Sequence, residues 1–299
     1  MIRKLTCMAV MAGMILAAAP AAAQFVSPFF LYPVVAKGAG VNSDWMTNLV
    51  ISNLSPFPVE VTARFFEEGQ ANSFMSGPSH TVTLQAGQTL NVEDVLGSWF
   101  PQVGDTKGSL MLLGEPMGGQ DPEGVRLAAT GRIFNNYTPN ATYGQTVNAS
   151  LVNFMFGAGS SVLPGAEWSS RVRSNVGVVN LGPQSLTVLI TTFNANGAQV
   201  AQETRTIPAM SMGQWSLEAL GVSNLNAPGR VEVEIDPATI TWDPCNPGTF
   251  GLVPMFEAYI SRVTQATGDA EFVMGLNDWT EFVDDCGYDP DDGDDDCPP

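Results

Sequence analysis

Residues 173–197 read RSNVGVVNLGPQSLTVLITTFNANG, residues 46–70 read MTNLVISNLSPFPVEVTARFFEEGQ, and the two stretches align without a gap. In both, an apolar run stops at an Asn-Leu pair, and a proline two residues later presets a turn. The next apolar run ends at a turn that contains glycine. The alignment therefore predicts a pair of β-strands that occurs twice. The shared residues are Asn48 and Asn175, Asn53 and Asn180, Leu54 and Leu181, Pro56 and Pro183, Val61 and Val188, and Phe66 and Phe193.

The repeat continues in the same order beyond this stretch. Long amphipathic helical patterns are missing, and short apolar or alternating runs are separated by Gly, Pro, Asn and Ser. The sequence therefore predicts an all-β fold of two tandem immunoglobulin-like β-sandwich domains from an internal duplication. A helical turn is expected in each copy, near residues 92–97 and 216–221. The further aligned blocks are 81–97 with 204–221, 107–113 with 228–234, and 128–136 with 258–265, the last placing Arg132 over Arg262.

Four segments follow from this organisation. Residues 1–23 are predicted to be a signal peptide, because a basic start precedes an apolar run too short to span a bilayer and an Ala-x-Ala cleavage site. Residues 24–148 and 149–280 are the two predicted sandwiches. Residues 281–299 form a tail rich in Cys and Asp that is predicted to be disordered. The mature chain is therefore expected to be exported by a bacterium, to the cell surface, the extracellular space or the periplasm.

The charge of the chain excludes some partners. The formal net charge is −18, and both basic residues of the predicted leader lie outside the mature protein. An acidic surface repels nucleic acids and anionic membranes, and no later apolar run has the length of a membrane span. We therefore expect no nucleic-acid partner and no membrane span. A protein or a glycan at the cell surface is the expected kind of partner.

The tail carries the only predicted metal site. Residues 284–299 read DDCGYDPDDGDDDCPP, and carboxylates at this density can bind Ca²⁺ weakly. The spacing does not match an EF-hand loop, and the same composition is typical of a solvated tail. No other cofactor is predicted. The calcium candidates are Asp289, Asp291, Asp292 and Asp294.

The cysteines allow one disulfide bond. Three remain outside the leader, namely Cys245, Cys286 and Cys297. Export permits disulfide formation, and three thiols can form one bridge with one left over. The sequence leaves the pairing open and weakly favours a bridge that involves Cys245.

Catalytic residues are scarce in the sequence. His80 is the one histidine, it begins a predicted strand, and no G-x-S-x-G motif accompanies it. Neighbouring carboxylates could serve glycoside hydrolysis only if two faced one cleft, and each fits a turn, a helix start or a solvated strand face. The chain is therefore predicted not to be an enzyme. The carboxylate candidates are Glu67 and Glu68, Glu93 and Asp94, and Glu232 and Glu234.

Aromatic residues leave a second function open. Trp45, Trp168 and Trp215 lie near predicted strand starts or turns, where half-buried tryptophan is common. A carbohydrate-binding module would instead place at least two such rings coplanar on one exposed face. The apolar start, residues 25–35, is predicted to be the first strand, and the alternative is an edge that accepts a strand from a partner. The glycine-rich residues 156–161 are interpreted as the linker between the domains.

The second copy resembles a known module at RSNVGVVNLG, NANGAQV and AYISRVTQATGDAEFV. It is similar to a repeated module in secreted proteins of soil-type, Acidobacteria-like bacteria, and the first copy resembles the companion module of those proteins. The resemblance covers most of residues 31–275. It implies an immunoglobulin-like extracellular module that is sometimes attached to secreted enzymes, and it implies no activity. Ser174 and Thr264-Gln265 depart from the pattern, where threonine and an acidic turn are usual.

These observations predict an exported, non-enzymatic structural, adhesive or protein-interaction module. A carbohydrate-binding module is the alternative, and a secreted hydrolase is less favoured. The sequence does not define the ligand, the oligomeric state or whether the protein stays on the cell.

Overall fold

In the residues that the structure describes, the first half of the chain has nine strands and one short helix. The structure is a computed structural model that describes residues 26–40, 43–75, 77–138, 141–151, 159–239, 255–266, 268 and 270–278. Helix α1 (Val95–Trp99) and a 3₁₀ turn (Pro101–Val103) follow the fifth strand. The strands are β1 (Phe29–Gly40), β2 (Ser43–Asn53), β3 (Val59–Glu67), β4 (Ser79–Leu84), β5 (Thr89–Val92), β6 (Thr106–Pro116), β7 (Leu127–Thr138), β8 (Ala141–Val147) and β9 (Ser150–Leu151).

The described part of the second half has nine more strands. A 3₁₀ turn at Glu218–Leu220 stands where α1 stands in the first half, so both predicted helical turns are confirmed. The strands are β10 (Ser160–Trp168), β11 (Val172–Asn180), β12 (Leu186–Phe193), β13 (Gln199–Ile207), β14 (Ser211–Ser216), β15 (Leu225–Ile235), β16 (Phe256–Thr264), β17 (Ala270–Met274) and β18 (Leu276–Asp278).

The two halves pair their strands in the same order. In the first half, one layer has the order β4-β3-β6-β1-β9 and the other has β5-β2-β7-β8, with the end of β1 also pairing with β2. In the second half the layers are β13-β12-β15-β10-β18 and β14-β11-β16-β17. All these pairs are antiparallel, and the predicted all-β sandwich is confirmed. The first half is called sandwich 1 and the second sandwich 2. Pairing of β9 with β1 extends sandwich 1 to Leu151, beyond the predicted boundary at residue 148.

The strand order differs from that of an immunoglobulin domain at its two flanks. The central pairs β2-β5 and β3-β6 match the B-E and C-F pairs of that fold. However, β1 pairs along most of its length with β6, and β7 pairs with β2, so the first and seventh strands have exchanged sheets. The register also corrects one predicted equivalence. Asn48 pairs with Arg132, whereas Asn175 pairs with Ser261, so Arg132 corresponds to Ser261 and not to Arg262.

Asn53 and Asn180 hold the same turn in both sandwiches, as the shared motif predicts. The Asn53 Nδ2 donates to the carbonyls of Phe57, Leu84 and Gln85 at 2.9, 3.0 and 3.1 Å, and its Oδ1 accepts from Ser55 N at 2.9 Å. Asn180 makes the same four bonds at the end of β11. Both side chains are buried, and in each turn one of the three bonds to carbonyls is buried and two are partly buried. The Asn180 partners are the carbonyls of Gln184, Ile207 and Pro208 and the amide of Gly182.

Alternation places the core between the layers. In β3, Val59, Val61 and Ala63 are buried, whereas Glu60 is exposed. The apolar start of the chain is an interior strand, since β1 has β6 on one side and β9 and β2 on the other. This confirms the predicted first strand and excludes a free edge there. Among the residues that the structure describes, no helix combines the length and apolar character needed to cross a membrane.

Candidate binding cleft beside the sandwich interface

Sandwich 2 packs one face of its β14-β11-β16-β17 layer against sandwich 1. The residues between its own layers, such as Val176, Val178 and Ile260, form a separate core. The opposite face of the same strands joins the core of sandwich 1 instead. The layer is therefore apolar on both faces. The buried residues that sandwich 2 contributes to this shared core are Val179, Leu181, Met212, Tyr259 and Phe272.

A long connection in sandwich 1 also contacts sandwich 2. Between β3 and β4, residues 68–78 replace the tight turn that residues 194–198 make between β12 and β13. Gly69 N donates to Met212 O at 3.0 Å, and Asn72 N donates to Ala209 O at 2.9 Å. The Asn72 Nδ2 donates to Met210 O at 2.9 Å. The difference in length between the two copies thus serves the contact between them.

The equivalent face of sandwich 1 is polar and open. The register places Thr89 and Asn91 at the positions of Met212 and Gln214, and both are exposed. Leu54, the counterpart of the buried Leu181, is 48% exposed. The same fold therefore uses this face for a buried contact in one copy only. Thr89 and Asn91 are small and polar, so the face of sandwich 1 on which they lie can stay in contact with water.

The interface buries a carboxyl group. Glu257 is 4% exposed, its Oε2 accepts a 2.7 Å hydrogen bond from Ser150 of sandwich 1, and its Oε1 has no partner among the described residues. Burial raises the pKa of Glu257 to about 7, and the hydrogen bonds from Ser150 and from the Ala258 amide oppose this shift. Burial, helped by the negative charge of Glu68, also raises the pKa of the Tyr259 hydroxyl well above its usual value. Both side chains are enclosed between the sandwiches.

Gly177 makes room for Tyr259. The two residues pair across β11 and β16, and a Cβ on Gly177 would overlap the tyrosine ring. We expect Gly177→Ala to lower the free energy of unfolding by about 2 kcal/mol, because the buried ring has no space to move away. Chemical denaturation measures this change. Gly38→Ala is the control for backbone cost alone, because Gly38 also lies in a strand without a positive φ and an added Cβ there would meet only Asp105 side-chain atoms at ordinary contact distance. An equal loss in both variants would contradict the steric explanation.

An open cleft lies next to this interface, at one end of sandwich 1. Its volume is about 500 Å³, within the range of small-molecule sites. The cleft forms where β1 crosses from one layer to the other, beside the first residues of β2 and β6 and the turn after β3. Lining side chains combine an aromatic ring with charged and hydroxyl groups. The lining residues are Ala36, Lys37, Gly38, Ala39, Trp45, Glu68, Asp105, Thr106 and Lys107.

Two ion pairs organise the cleft. The Lys107 Nζ lies 3.0 Å from Glu68 Oε1 and donates at 3.2 Å to Gln214 Oε1 of sandwich 2. The Lys37 Nζ lies 3.7 Å from Asp94 Oδ2. These are the only lysines of the chain apart from Lys4 of the predicted leader. Asp105 accepts a long bond, 3.4 Å, from Ala39 N and has no ion-pair partner in the described ranges.

The fold itself does not require this constellation. Lys37 and Lys107 lie next to Val35 and Gly108, a pair that corresponds to Ala166 and Gly229 in sandwich 2. The counterparts of Lys37, Asp105 and Lys107 in sandwich 2 carry no charge, although the counterpart of the lining residue Ala36 is Glu167. A set of side chains that sandwich 2 does without is a better candidate for a site than the residues that both sandwiches share. The counterparts of Lys37, Trp45, Asp105 and Lys107 are Trp168, Val172, Asn226 and Pro228.

The catalytic candidates of the sequence have local partners. His80 stacks on Trp99 with ring centroids 4.9 Å apart, at the open edge of sandwich 1. Glu67 accepts from Thr106 at 2.9 Å, Asp94 caps α1 through Gly97 N, and Glu232 pairs with Arg230. The other carboxylates, Glu68, Glu93 and Glu234, do not converge with these on one pocket; only Glu68 lines the cleft.

The remaining candidates are the tryptophans, which pack against the cores, and the predicted calcium ligands and cysteines, which lie outside the described residues. Trp45, Trp99, Trp168 and Trp215 are all partly buried against the two cores, and of these four Trp45 also lines the cleft. In the described part of the chain, no group of three His, Cys, Asp or Glu side chains is placed to hold a metal ion. The predicted calcium ligands and disulfide cysteines lie outside the described residues. They are Asp289, Asp291, Asp292 and Asp294, and Cys245, Cys286 and Cys297.

Sequence reasoning did not assemble the cleft. Lys37, Glu68, Asp105 and Lys107 carry no motif spacing, and three separate segments bring them together. Two signals were available: Lys37 lies outside the aligned blocks, and Lys107 begins an aligned block whose other copy has Pro228 at that position. No protein-family model matches the chain, and no curated protein matches it significantly. The resemblance to secreted tandem-repeat proteins stays a prediction.

Proposed function

We propose that the mature chain is an exported, non-enzymatic structural or adhesive module that binds protein or glycan partners at the cell surface or in the extracellular space. The shared core between the two sandwiches carries this proposal. Domains joined by a large apolar interface keep a fixed orientation, whereas small polar interfaces allow relative motion. A fixed pair of sandwiches suits a protein that presents loops and sheet faces at a set distance.

The location of the perturbed ionisable groups supports a binding role over catalysis. A catalytic acid, base or nucleophile must reach its substrate. Glu257 and Tyr259 are enclosed between the sandwiches, and Tyr32, whose pKa burial also raises, is enclosed in the core of sandwich 1. These groups serve packing in this proposal.

Export is tested with a reporter. Residues 1–299 fused to an alkaline phosphatase that is active only outside the cytoplasm should give active enzyme in a Gram-negative host. The same fusion without residues 1–23 is the control and should stay inactive. Equal activity of the two fusions would contradict export.

The non-enzymatic and adhesive parts are tested on purified residues 24–299. We expect no product from panels of glycoside, ester and peptide substrates. We expect immobilised protein to retain polysaccharide or protein fractions of the cell envelope under flow. Turnover of any substrate that survives repurification, or no retention of any fraction, counts against the proposal.

A carbohydrate-binding module is the second candidate function. The observation that favours it is the position of Trp45 in an open cleft with carboxylate, ammonium and hydroxyl groups around it. The predicted platform of two coplanar rings has no support among the four described tryptophans, since all four pack in part against the cores and only Trp45 lines the cleft. In this candidate function the sugar contacts the Trp45 ring and several polar groups instead of two coplanar aromatic rings.

A further inference from the structure

We propose that the cleft binds a neutral saccharide, with Trp45 as the apolar surface and Asp105 as the acceptor for sugar hydroxyls. The proposal rests on the second candidate function and specifies its site and ligand class. It does not depend on the adhesive role of the two sandwiches.

The charges of the cleft decide between neutral and acidic ligands. Glu68 balances Lys107 and Asp94 balances Lys37, so both ammonium groups already have a carboxylate partner. Asp105 adds a carboxylate without an ion pair in the described ranges, and the chain as a whole carries −18. An acidic ligand would gain no net attraction here and would face Asp105 directly. Hydroxyl groups, in contrast, can donate to that carboxylate without adding charge.

The donors and acceptors also suit a ligand with many hydroxyl groups. An ammonium group has three N–H donors, and Lys107 donates one of them to Gln214 while it forms an ion pair with Glu68. Asp105 accepts only the long bond from Ala39 N, so most of its acceptor capacity is available. A sugar ring offers hydroxyls that both donate and accept, which matches this mixed set.

The aromatic ring supplies the remaining contact. Trp45 is half-buried at the start of β2 and lines the cleft. A half-buried indole presents an apolar surface together with one N–H donor, so it can contact the C–H face of a sugar ring. A few placed polar groups around an apolar surface are typical of small-molecule sites, and a volume of about 500 Å³ is within their range.

The test uses residues 24–299, a glycan array and isothermal titration. The array carries neutral oligosaccharides and uronic-acid oligosaccharides of matched length. Titration then follows the strongest neutral ligand. We expect neutral ligands to bind, Asp105→Asn to weaken binding about tenfold, and Trp45→Ala to weaken it at least as much. Glu60→Gln is the control, because Glu60 is exposed on β3, outside the cleft, and loses the same charge. Its affinity should stay within about twofold.

Three outcomes overturn the proposal: no array member binds, uronic-acid ligands bind better than their neutral counterparts, or Asp105→Asn and Glu60→Gln bind equally. Asp105 is exposed, so its substitution should leave the fold intact even if Trp45→Ala impairs folding. The export reporter does not depend on saccharide binding in the cleft, and neither does the flow assay when it is run with protein fractions alone. If the Asp105→Asn variant loses sugar binding but is still exported and still retains protein fractions under flow, saccharide binding in the cleft is separate from the adhesive function.

Discussion

Replacing Asn180 with alanine should lower the free energy of unfolding by about 3 kcal/mol, because four hydrogen bonds, two of them buried and two partly buried, depend on one buried side chain. The substitution removes the Asn180 partner of three carbonyls and one amide. It also leaves a cavity of the size of an amide group. Denaturation with urea, followed by circular dichroism, measures the loss.

Two further variants separate hydrogen bonding from packing at this position. Asn180→Asp keeps the size of the side chain but turns a donor into an acceptor that faces three carbonyls, so we expect it to destabilise at least as much as alanine. Asn196→Ala, at an exposed turn of the same sandwich, should cost less than about 0.5 kcal/mol. If Asn180→Ala and Asn196→Ala lose similar stability, Asn180 does not hold the turn.

Glu257 should make the stability of the protein fall between about pH 4.5 and pH 7. Its pKa is about 7 in the folded chain against a usual value of 4.5. Between these values the folded state keeps the proton that the unfolded state has released, so the free energy of unfolding falls as pH rises. The shift corresponds to about 3 kcal/mol, all of it lost above pH 7 and none of it below about pH 4.

Glu257→Gln tests this effect, because glutamine has the same shape and stays neutral. We expect the variant to be more stable than the parent protein by a margin that grows from pH 4.5 to pH 7 and reaches about 3 kcal/mol at pH 8. Glu115→Gln removes an exposed carboxylate of β6 and should run parallel to the parent profile. A constant difference between Glu257→Gln and the parent at all pH values would show that the carboxyl group is not buried in solution.

The repeat predicted the parts of the fold that local chemistry determines. Asn53 and Asn180 end an apolar run and precede a turn, and the structure gives both the same four bonds. Alternation predicted which face of β3 is buried. Leu54 and Leu181 show the limit of this reasoning, because the same residue is 48% exposed in one copy and 3% exposed in the other. Its burial depends on the neighbouring sandwich, which the motif does not encode.

One feature of the sequence indicates the interface between the sandwiches, and it is a feature in which the two aligned copies differ. In β11, Val176 and Val178 fill one face while Val179 lies on the other, whereas the equivalent of Val179 in β2 is Ser52. A strand apolar on both faces indicates contact on both sides. Glu257 gave no such signal, since a carboxylate beside apolar residues normally lies in solvent. The exchange of β1 and β7 between layers was not visible either, because strand spacing does not specify sheet neighbours.

The most direct test of the central claim, that the two sandwiches form one cooperative unit, is calorimetric unfolding of residues 24–299 with one weakened turn in each sandwich. The shared core predicts a single transition for the parent protein. Asn53→Ala in sandwich 1 and Asn180→Ala in sandwich 2 should each lower the midpoint of that whole transition. Two transitions, with each variant lowering only the one that belongs to its own sandwich, would contradict the claim.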